Sequence, residues 1–262
     1  MSQAKAYADC DVDAPNLHLI SHQDAVPAKA DYYGLPKASI DPQVCIECDE
    51  CRQKCRFDAI AYKDIYKVDY FACEGCGVCK LVCPVEAITL LPSIAGELML
   101  YKNEQVFSTA QLKMGSGTSG LLVSRVKKQL RDNSNADFAI IDGSPGIGCP
   151  VIASLSGVDT VLIVAEPTLS GISDMERIIK TAKGFGVKIA VCVNKYDTNL
   201  EHTKRIERYC LNNGLSYAGR IPFDKNAVLA INNNKTIVDI VCASGIAAKR
   251  VYNRVMELLL AG

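Results

Sequence analysis

The chain has 262 residues, 49% of them hydrophobic, and its 29 basic and 29 acidic side chains leave no formal net charge. This length is enough for one large α/β domain and a small extra module. Balanced charge without runs of like sign argues against a nucleic-acid or anionic-membrane partner, and no apolar run reaches the 18 residues of a membrane span. The first residues lack the apolar core of a signal peptide, so we expect a cytoplasmic protein.

The first predicted element is a short strand over residues 4–10, which runs into an acidic segment from Asp9 to Asp13. α/β folds place carboxylates at the carboxyl edge of their sheets in this way. An Asx-rich turn produces the same pattern. These residues alone do not decide between the two interpretations.

Eight of the thirteen cysteines form two runs with the spacing C-x2-C-x2-C-x3-C, the second lying 28 residues after the first. A 4Fe-4S cluster is held by four thiolates, and in this spacing the fourth cysteine of each run binds the other cluster. The sequence therefore predicts two 4Fe-4S clusters. The ligands of the first would be Cys45, Cys48, Cys51 and Cys83, and those of the second Cys73, Cys76, Cys79 and Cys55.

Zinc sites and disulfides are the alternative explanations of so many cysteines. Zinc sites favour two CxxC pairs with a longer spacer, which does not explain a third cysteine at short spacing in both runs. Disulfides need an oxidising compartment, of which the sequence gives no sign. The paired runs resemble bacterial-type two-cluster ferredoxins, with one departure: Arg56 follows the first run, whereas Pro84 closes the second.

After the cysteine runs, Glu97–Asn103 and Gln105–Leu112 predict a β-hairpin, and a helix is predicted to end near Asn133. The loop before this helix, Gly115 to Gly120, has the glycine spacing of a phosphate-binding loop. Leu121 and Leu122 stand where that motif requires lysine and Ser/Thr. We therefore interpret the segment as a helix-capping loop rather than the main phosphate-binding site.

From residue 137 onward, apolar strands alternate with helical patterns. The predicted strands are Phe138–Asp142, Thr160–Ala165, Lys188–Asn194 and Ser216–Ile221, and the predicted helices cover about 149–157, 169–185, 200–213 and 245–260. This alternation predicts an α/β fold with a mostly parallel sheet covered on both faces. We expect residues 1–38 and 90–262 to form one domain, into which residues 39–89 are inserted as a ferredoxin module.

Polar residues follow several of these strands. Asp142 leads into a Pro-Gly turn that ends at Gly146, as in a Walker B strand with its switch loop, where the acid can hold Mg²⁺ through water. Asn194 ends a later strand and can hydrogen-bond a purine edge. Singly, such residues are common turn formers. Together, at consecutive carboxyl edges, they favour a nucleotide site.

These segments together resemble the ferredoxin-insert branch of the MinD/ParA/nitrogenase iron protein class of P-loop ATPases. The resemblance lies in D-C-D-V-D-A-P-N-L-H-L, the cysteine insertion, D-G-S-P-G-I-G-C-P-V, E-P-T-L-S-G and V-N-K-Y-D. It implies that Asp11 is the switch I acid and Asp142 the Walker B acid. It further implies that Gly146 is the switch II glycine, that Asn194 reads adenine, and that Pro222 to Asp224 approach the base.

One departure from the family concerns its phosphate-binding loop, K-G-G-x-G-K-S/T, which does not occur in the 262 residues. In the family a strand, this loop and a helix precede the segment that matches Ala6–Asp11. Since every later motif survives, we expect an N-terminally truncated form rather than a degenerate member. ATP and Mg²⁺ are the cofactors that the family implies, but without the loop we predict little ATP binding and no hydrolysis.

Five cysteines lie outside the two runs, and their apolar surroundings predict small core residues for most of them: Cys10, Cys149, Cys192, Cys210 and Cys242. For Cys149, at a predicted helix start, burial and exposure with enhanced reactivity both stay open.

The sequence predicts an iron–sulfur protein with two 4Fe-4S clusters on an ATPase-family scaffold, and three functions are compatible with it. The chain could be an ATPase that couples nucleotide state to electron transfer or metal-centre assembly, with a redox or metal-centre acceptor protein as partner and a homodimer as a compatible assembly. It could be a simple electron carrier with a degenerate nucleotide site, or an iron–sulfur carrier. Nucleotide affinity distinguishes the first from the second, and cluster transfer to an apo-acceptor identifies the third.

Overall fold

The computed structural model describes residues 6–20, 25–233 and 235–261, which contain twelve strands and nine α-helices. The strands are β1 (Ala6–Asp9), β2 (Ala28–Tyr33), β3 (Lys37–Ile40), β4 (Ile60–Lys63), β5 (Ile65–Val68), β6 (Ile88–Leu91), β7 (Ile94–Lys102), β8 (Val106–Leu112), β9 (Ile140–Asp142), β10 (Thr160–Ala165), β11 (Lys188–Asn194) and β12 (Ser216–Ile221). The helices are α1 (Leu17–Ile20), α2 (Glu50–Gln53), α3 (Val78–Val82), α4 (Ser119–Asn133), α5 (Cys149–Leu155), α6 (Leu169–Gly184), α7 (Leu200–Asn212), α8 (Lys225–Asn232) and α9 (Ala243–Leu260).

These elements divide into two compact units. The first consists of Met1–Pro15 and Ala25–Ile141, and the second of Asn16–Asp24 and Asp142–Gly262. The cysteine runs lie in the first unit.

The main sheet of the first unit has the strand order β2-β7-β8-β1-β9. β1 runs parallel to β8, whereas β7 is antiparallel to both β2 and β8. The β7–β8 hairpin turns where the sequence predicts it, because the Gln105 amide donates to the Asn103 side chain at 2.9 Å. Helix α4 packs on β8 and β1 with a buried apolar face of Leu122, Val123, Val126 and Leu130.

The cysteine module of the first unit consists of two small antiparallel pairs, β3 with β6 and β4 with β5, together with α2 and α3. Because its first strand pairs with its last, Lys37 lies opposite Leu91. The two ends of the module therefore meet, so the module departs from and returns to the chain at neighbouring points.

The second unit is built on a parallel sheet with the order β10-β11-β12. Alternate residues of β11 lie on opposite faces of the sheet and pack into two different hydrophobic cores. Val191 packs with the helices α5, α6 and α7, and Cys192 packs with α9. Both faces of β11 are thus covered, as the apolar strands predict, whereas Leu162 and Val164 of β10 are exposed. The periodic positions of α6 are all buried, which confirms its predicted face: Ile172, Met175, Ile179 and Ala182.

The α/β fold class is confirmed, but the details differ from the sequence prediction in two ways. The predicted single sheet is two sheets, one in each unit. Periodicity identifies strands, whereas only tertiary packing decides which strands lie side by side to form a hydrogen-bonded ladder. Strand β2 and helix α8 were not predicted, and residues 4 and 5 of the predicted first strand lie outside the described residues.

Candidate metal centres

The two cysteine runs fold as related halves of one module. The first half is β3, α2 and β4, and the second is β5, α3 and β6. The Asp41 amide donates to the Ala87 carbonyl at 2.9 Å, and the amide of its counterpart, Asp69, donates to the Ala59 carbonyl at 2.7 Å. The start of each half is therefore bound to the end of the other. This crossing brings the last cysteine of each run to the opposite site.

Both cysteine loops need left-handed backbone at the same two places. In the second loop these places are Gly75 and Gly77, with φ of 65° and 78°. In the first loop the equivalent residues are Glu47 and Asp49, with φ of 56° and 66°. Similar curled loops thus form with glycine in one half and with acidic residues in the other.

Each half of the module contributes to two partly open cavities. The first cavity is lined by Cys45, Cys48, Cys51 and Cys83. The second is lined by Cys55, Cys73, Cys76 and Cys79. The structure thus brings together the same two groups of cysteines that the sequence spacing predicts.

The arrangement of these thiols fits a 4Fe-4S cluster. Among residues 6–20, 25–233 and 235–261, no three His, Cys, Asp or Glu side chains converge as the ligands of one metal ion would. The thiolates of a 4Fe-4S cluster hold its separate corners, so they surround a volume. Four cysteines around each cavity match that donor set.

The cysteines of each site differ in exposure. Cys48 and Cys76, at equivalent positions of the two runs, are exposed, whereas Cys51 is buried. Burial, followed by the nearby thiols, raises the pKa of Cys51 and Cys79. Iron bound at these sites would therefore have to replace the protons of these thiols.

Sequence reasoning missed a hydrogen-bonded network beside the first cavity. The Tyr66 hydroxyl donates to Asp49 Oδ1 at 2.7 Å, and Arg52 donates to both carboxylate oxygens at 2.6 Å. The Arg52 and Tyr66 hydrogen bonds hold the pKa of Asp49 well below its usual range, and the Asp49 hydrogen bond raises the pKa of Tyr66 to about 12. Aligning the two runs would have revealed one signal, namely Asp49 at the position of Gly77.

The residues expected at a nucleotide site are divided between the two units. Asp11 follows β1 in the first unit, and burial raises the pKa of its carboxyl group. Asp142 opens the second unit at the end of β9, and Gly146 has a φ of 88° in the following turn. The remaining residues follow β11 and β12 in the second unit: Asn194, Pro222 and Asp224.

The carboxyl edge of the β10–β12 sheet is bridged by polar contacts. Lys195 Nζ lies 2.6 Å from Glu166 Oε1, and Asp197 accepts a hydrogen bond from the Phe223 amide at 2.7 Å. Asp224 caps α8 by accepting from the Asn226 amide at 2.9 Å, and it also accepts from the Ser244 hydroxyl at 3.1 Å. These contacts give the Asp224 carboxylate a structural role at two helix starts.

The cysteines outside the cavities divide into buried and exposed residues. Cys10, Cys192, Cys210 and Cys242 are buried, as predicted, whereas Cys149 at the start of α5 is exposed. Burial raises the pKa of Cys192 to about 12 and, together with Glu207, that of Cys210 to about 11. The structure thus excludes burial for Cys149.

Within the part of the chain that the structure describes, no helix combines the length and the apolar character that a membrane crossing requires.

Comparisons with known proteins found similarities to the cysteine module alone and to nearly the whole chain. The family of 4Fe-4S dicluster domains matches residues 38–90. The uncharacterized protein MJ0578 of Methanocaldococcus jannaschii is 31% identical over 254 residues, which cover 96% of this chain and 85% of that protein. The pyruvate synthase subunit PorD of Methanothermobacter marburgensis is 39% identical over 54 residues, 21% of this chain and 64% of the subunit.

A solved structure shows the fold of the whole chain. The septum site-determining protein MinD from Pyrococcus horikoshii, complexed with Mg-ADP, superposes with a TM-score of 0.56 at 15% sequence identity. The superposition covers 97% of this chain and 84% of MinD. At this identity the likeness shows a shared fold.

Proposed function

The chain belongs to the same family as MJ0578 of M. jannaschii, with a 4Fe-4S dicluster domain on a MinD/ParA-type ATPase fold, and on this premise we propose that it is a two-cluster electron-transfer protein. One observation carries the proposal: each cavity of the module is lined by four cysteines, three from one run and the last from the other.

The proposed ligands of the first cluster are Cys45, Cys48, Cys51 and Cys83, and those of the second are Cys73, Cys76, Cys79 and Cys55. A bound 4Fe-4S cluster supplies a one-electron couple whose potential depends on charge, hydrogen bonds to sulfur and exposure. The backbone curls of both loops orient the thiols, and the Ala87 amide donates to Cys83 Sγ at 3.3 Å.

The position of the exposed cysteines supports a role in electron exchange with a partner protein. Cys48 and Cys76 each leave one edge of their cavity open to solvent. A redox protein can therefore approach either site without displacing the chain. The similarity to a pyruvate synthase subunit supports a partner of that class, an oxidoreductase that exchanges single electrons.

A second candidate function is control of electron transfer or metal-centre assembly by a nucleotide. It is favoured by the MinD-type fold and by Asp142 and Asn194, which stand at strand ends. In this proposal Asp142 would hold Mg²⁺ through water and Asn194 would bind the base. A homodimer would be compatible with it.

The test of the main proposal begins with anaerobic purification. We expect about eight iron and eight acid-labile sulfide per chain, from two clusters of four each. Reduction with dithionite should produce a magnetically coupled EPR signal, and the reduced protein should pass electrons to a viologen acceptor in stopped-flow mixing. Zinc without sulfide would overturn the proposal, and transfer of intact clusters to an apo-ferredoxin would favour the carrier function instead.

A further inference from the structure

The internal repeat provides a natural comparison between two sites with related backbones. The residue directly after the second cysteine is left-handed in both loops: Asp49 has φ of 66° and Gly77 has φ of 78°. A side chain in this conformation costs about 1–2 kcal/mol for most L-residues, although aspartate tolerates it better. Aspartate in place of glycine therefore requires an explanation.

The Asp49 carboxylate is held from three directions. Tyr66 donates to Oδ1 at 2.7 Å, Arg52 donates to both oxygens at 2.6 Å, and Gln53 Nε2 donates to Oδ2 at 3.1 Å. The Asp49 side chain is only 20% exposed, and that of Arg52 is 51% exposed. A carboxylate that is paired in this way stays charged and has one fixed orientation.

The second half of the module does not repeat this network, because Gly77 provides no carboxylate. The residues equivalent to Arg52 and Gln53 are Lys80 and Leu81, and Ala38 stands where Tyr66 would be expected. Tyr66 lines the first cavity and Ala38 the second. The second loop adopts the same curl with glycine at this position and without such a network.

The network acts on the wall of the first cavity. Asp49 and Tyr66 line this cavity, whereas Arg52 lies outside its lining. The residue that carries the negative charge thus belongs to the cavity wall, whereas the arginine that balances it does not. The second cavity has a carboxylate from a different loop position, Glu74, whose counterpart in the first loop is Ile46.

We propose that Asp49, positioned by Tyr66 and Arg52, sets the reduction potential of the cluster in the first cavity. This inference rests on the proposed function, since it needs a cluster at Cys45, Cys48, Cys51 and Cys83. Reduction adds one electron to the site and neither forms nor breaks a bond in the chain. A fixed negative charge on the cavity wall makes that addition less favourable and so lowers the potential. Tyr66 and Arg52 are positioning residues, because they act on the cluster through the Asp49 carboxylate. Their hydrogen bonds orient this carboxylate and partly neutralise its charge.

The experiment measures the two potentials separately. In a Cys76→Ser background only the first cluster should remain, and in a Cys48→Ser background only the second. Midpoint potentials are then read by EPR during an anaerobic dithionite titration with mediators. Iron and sulfide contents of the unaltered protein are measured first, so that absence of clusters there counts against the proposed function itself.

We expect opposite shifts from the members of the network. Asp49→Asn removes a negative charge and should raise the potential of the first cluster, whereas Arg52→Gln and Tyr66→Phe should lower it. None of the three should move the second cluster. A purely structural role would not produce shifts of opposite sign.

Two matched variants complete the design. Glu74→Gln removes the carboxylate of the other cavity and should raise only the second potential. Tyr62→Phe removes a hydrogen bond to Glu47 at 3.3 Å from a tyrosine that lines neither cavity, and should change neither potential. If Asp49→Asn fails to load its cluster, Arg52→Gln and Tyr66→Phe decide the question. Unchanged potentials, equal shifts of both clusters, or an upward shift in Arg52→Gln would overturn the inference.

Discussion

At the scale of single residues, the assignment of each run's last cysteine to the opposite cavity makes a testable prediction. It differs from the prediction that follows if each run binds its own cluster. Cys48 and Cys55 belong to one run but line different cavities, whereas Cys48 and Cys83 belong to different runs and line the same cavity. The double variant Cys48→Ser/Cys83→Ser should therefore keep about four irons per chain, because one site stays complete. Iron and sulfide analysis after anaerobic reconstitution measures this.

The matched double variant is Cys48→Ser/Cys55→Ser, which also lacks two cysteines but damages both cavities. It should lose nearly all iron and the EPR signal. Cys242→Ser, outside both cavities, should keep the full content. Equal iron in the two double variants would contradict the crossed assignment.

A second residue-scale prediction concerns thiol reactivity. Cys149 is exposed, whereas Cys192 and Cys210 are buried and have raised pKa values of about 12 and 11. At pH 8 these two thiols are almost fully protonated, and only the thiolate reacts. Iodoacetamide should therefore label Cys149 much faster than either, as peptide mass spectrometry can follow.

Cys149→Ser should abolish the fast phase of this labelling, and Cys192→Ser should leave it unchanged. Because thiolate content rises with pH, labelling of Cys192 should become appreciable only toward its own pKa. Labelling of Cys149 at the rate of Cys192 would rule out a special role for it.

At the scale of elements, the two left-handed glycines of the second cysteine loop differ in how much space each has for a side chain. A Cβ on Gly75 would lie 2.1 Å from the Pro36 carbonyl oxygen, whereas a Cβ on Gly77 meets nothing closer than Leu90 Cδ1 at 3.6 Å. Both residues are left-handed, which alone costs alanine about 1–2 kcal/mol. The loss of folding stability from Gly75→Ala should be larger than this value, and the loss from Gly77→Ala should not exceed it.

The measurement for this pair is the urea midpoint at which cluster absorbance is lost under anaerobic conditions. Gly75→Ala should have the clearly lower midpoint, or should fail to retain clusters. Equal midpoints for the two variants would show that the Pro36 segment moves to accommodate the methyl group.

A second element-scale prediction concerns Asp224, which caps α8 and binds Ser244 near the start of α9. Asp224→Ala should lower the Tm by about 2–4 °C, the shift expected from one lost helix cap in a chain of this size. Asp224→Asn should lower it less, because asparagine also caps helices. Circular dichroism during heating measures both.

The pH dependence of this effect follows from the lowered pKa of Asp224, which is caused first by the Asn226 amide and then by Ser244. A lowered acid pKa contributes stability above the ordinary value of 3.8, and this contribution is lost as pH falls through the folded-state pKa. The Tm difference between Asp224 and its asparagine variant should therefore shrink below pH 3.8. A constant difference would show that charge is unimportant to the cap.

At the scale of the whole molecule, the fold alone does not predict ATP hydrolysis. The fold is of the MinD type, but the 262 residues have no lysine-bearing glycine loop, and most catalysis of phosphoryl transfer comes from that loop and its Mg²⁺. We expect this chain to bind ATP weakly and to show no hydrolysis above background. Calorimetric titration with Mg-ATP and a phosphate-release assay measure the two properties.

Asp142→Ala is the control for this prediction, since a chain without turnover should not be changed by it. Turnover that Asp142→Ala abolishes would place the phosphates near Asp142. Turnover that survives this substitution would indicate phosphate binding at the Gly115–Gly120 loop, because α4 begins there and helix N-termini bind anions.

The sequence by itself determined the grouping of the eight cysteines and the strands and helices of the second unit. Cluster ligation imposes a short spacing along the chain, and buried strands and amphipathic helices have short periods that neighbouring residues reveal. Strands β10, β11 and β12 accordingly have their predicted bounds. Only the tertiary structure decided the division into two sheets, the exposure of Cys149 and the contact of Tyr66 with Asp49. These features depend on contacts between residues that are far apart in sequence. Local sequence patterns contain no information about such contacts.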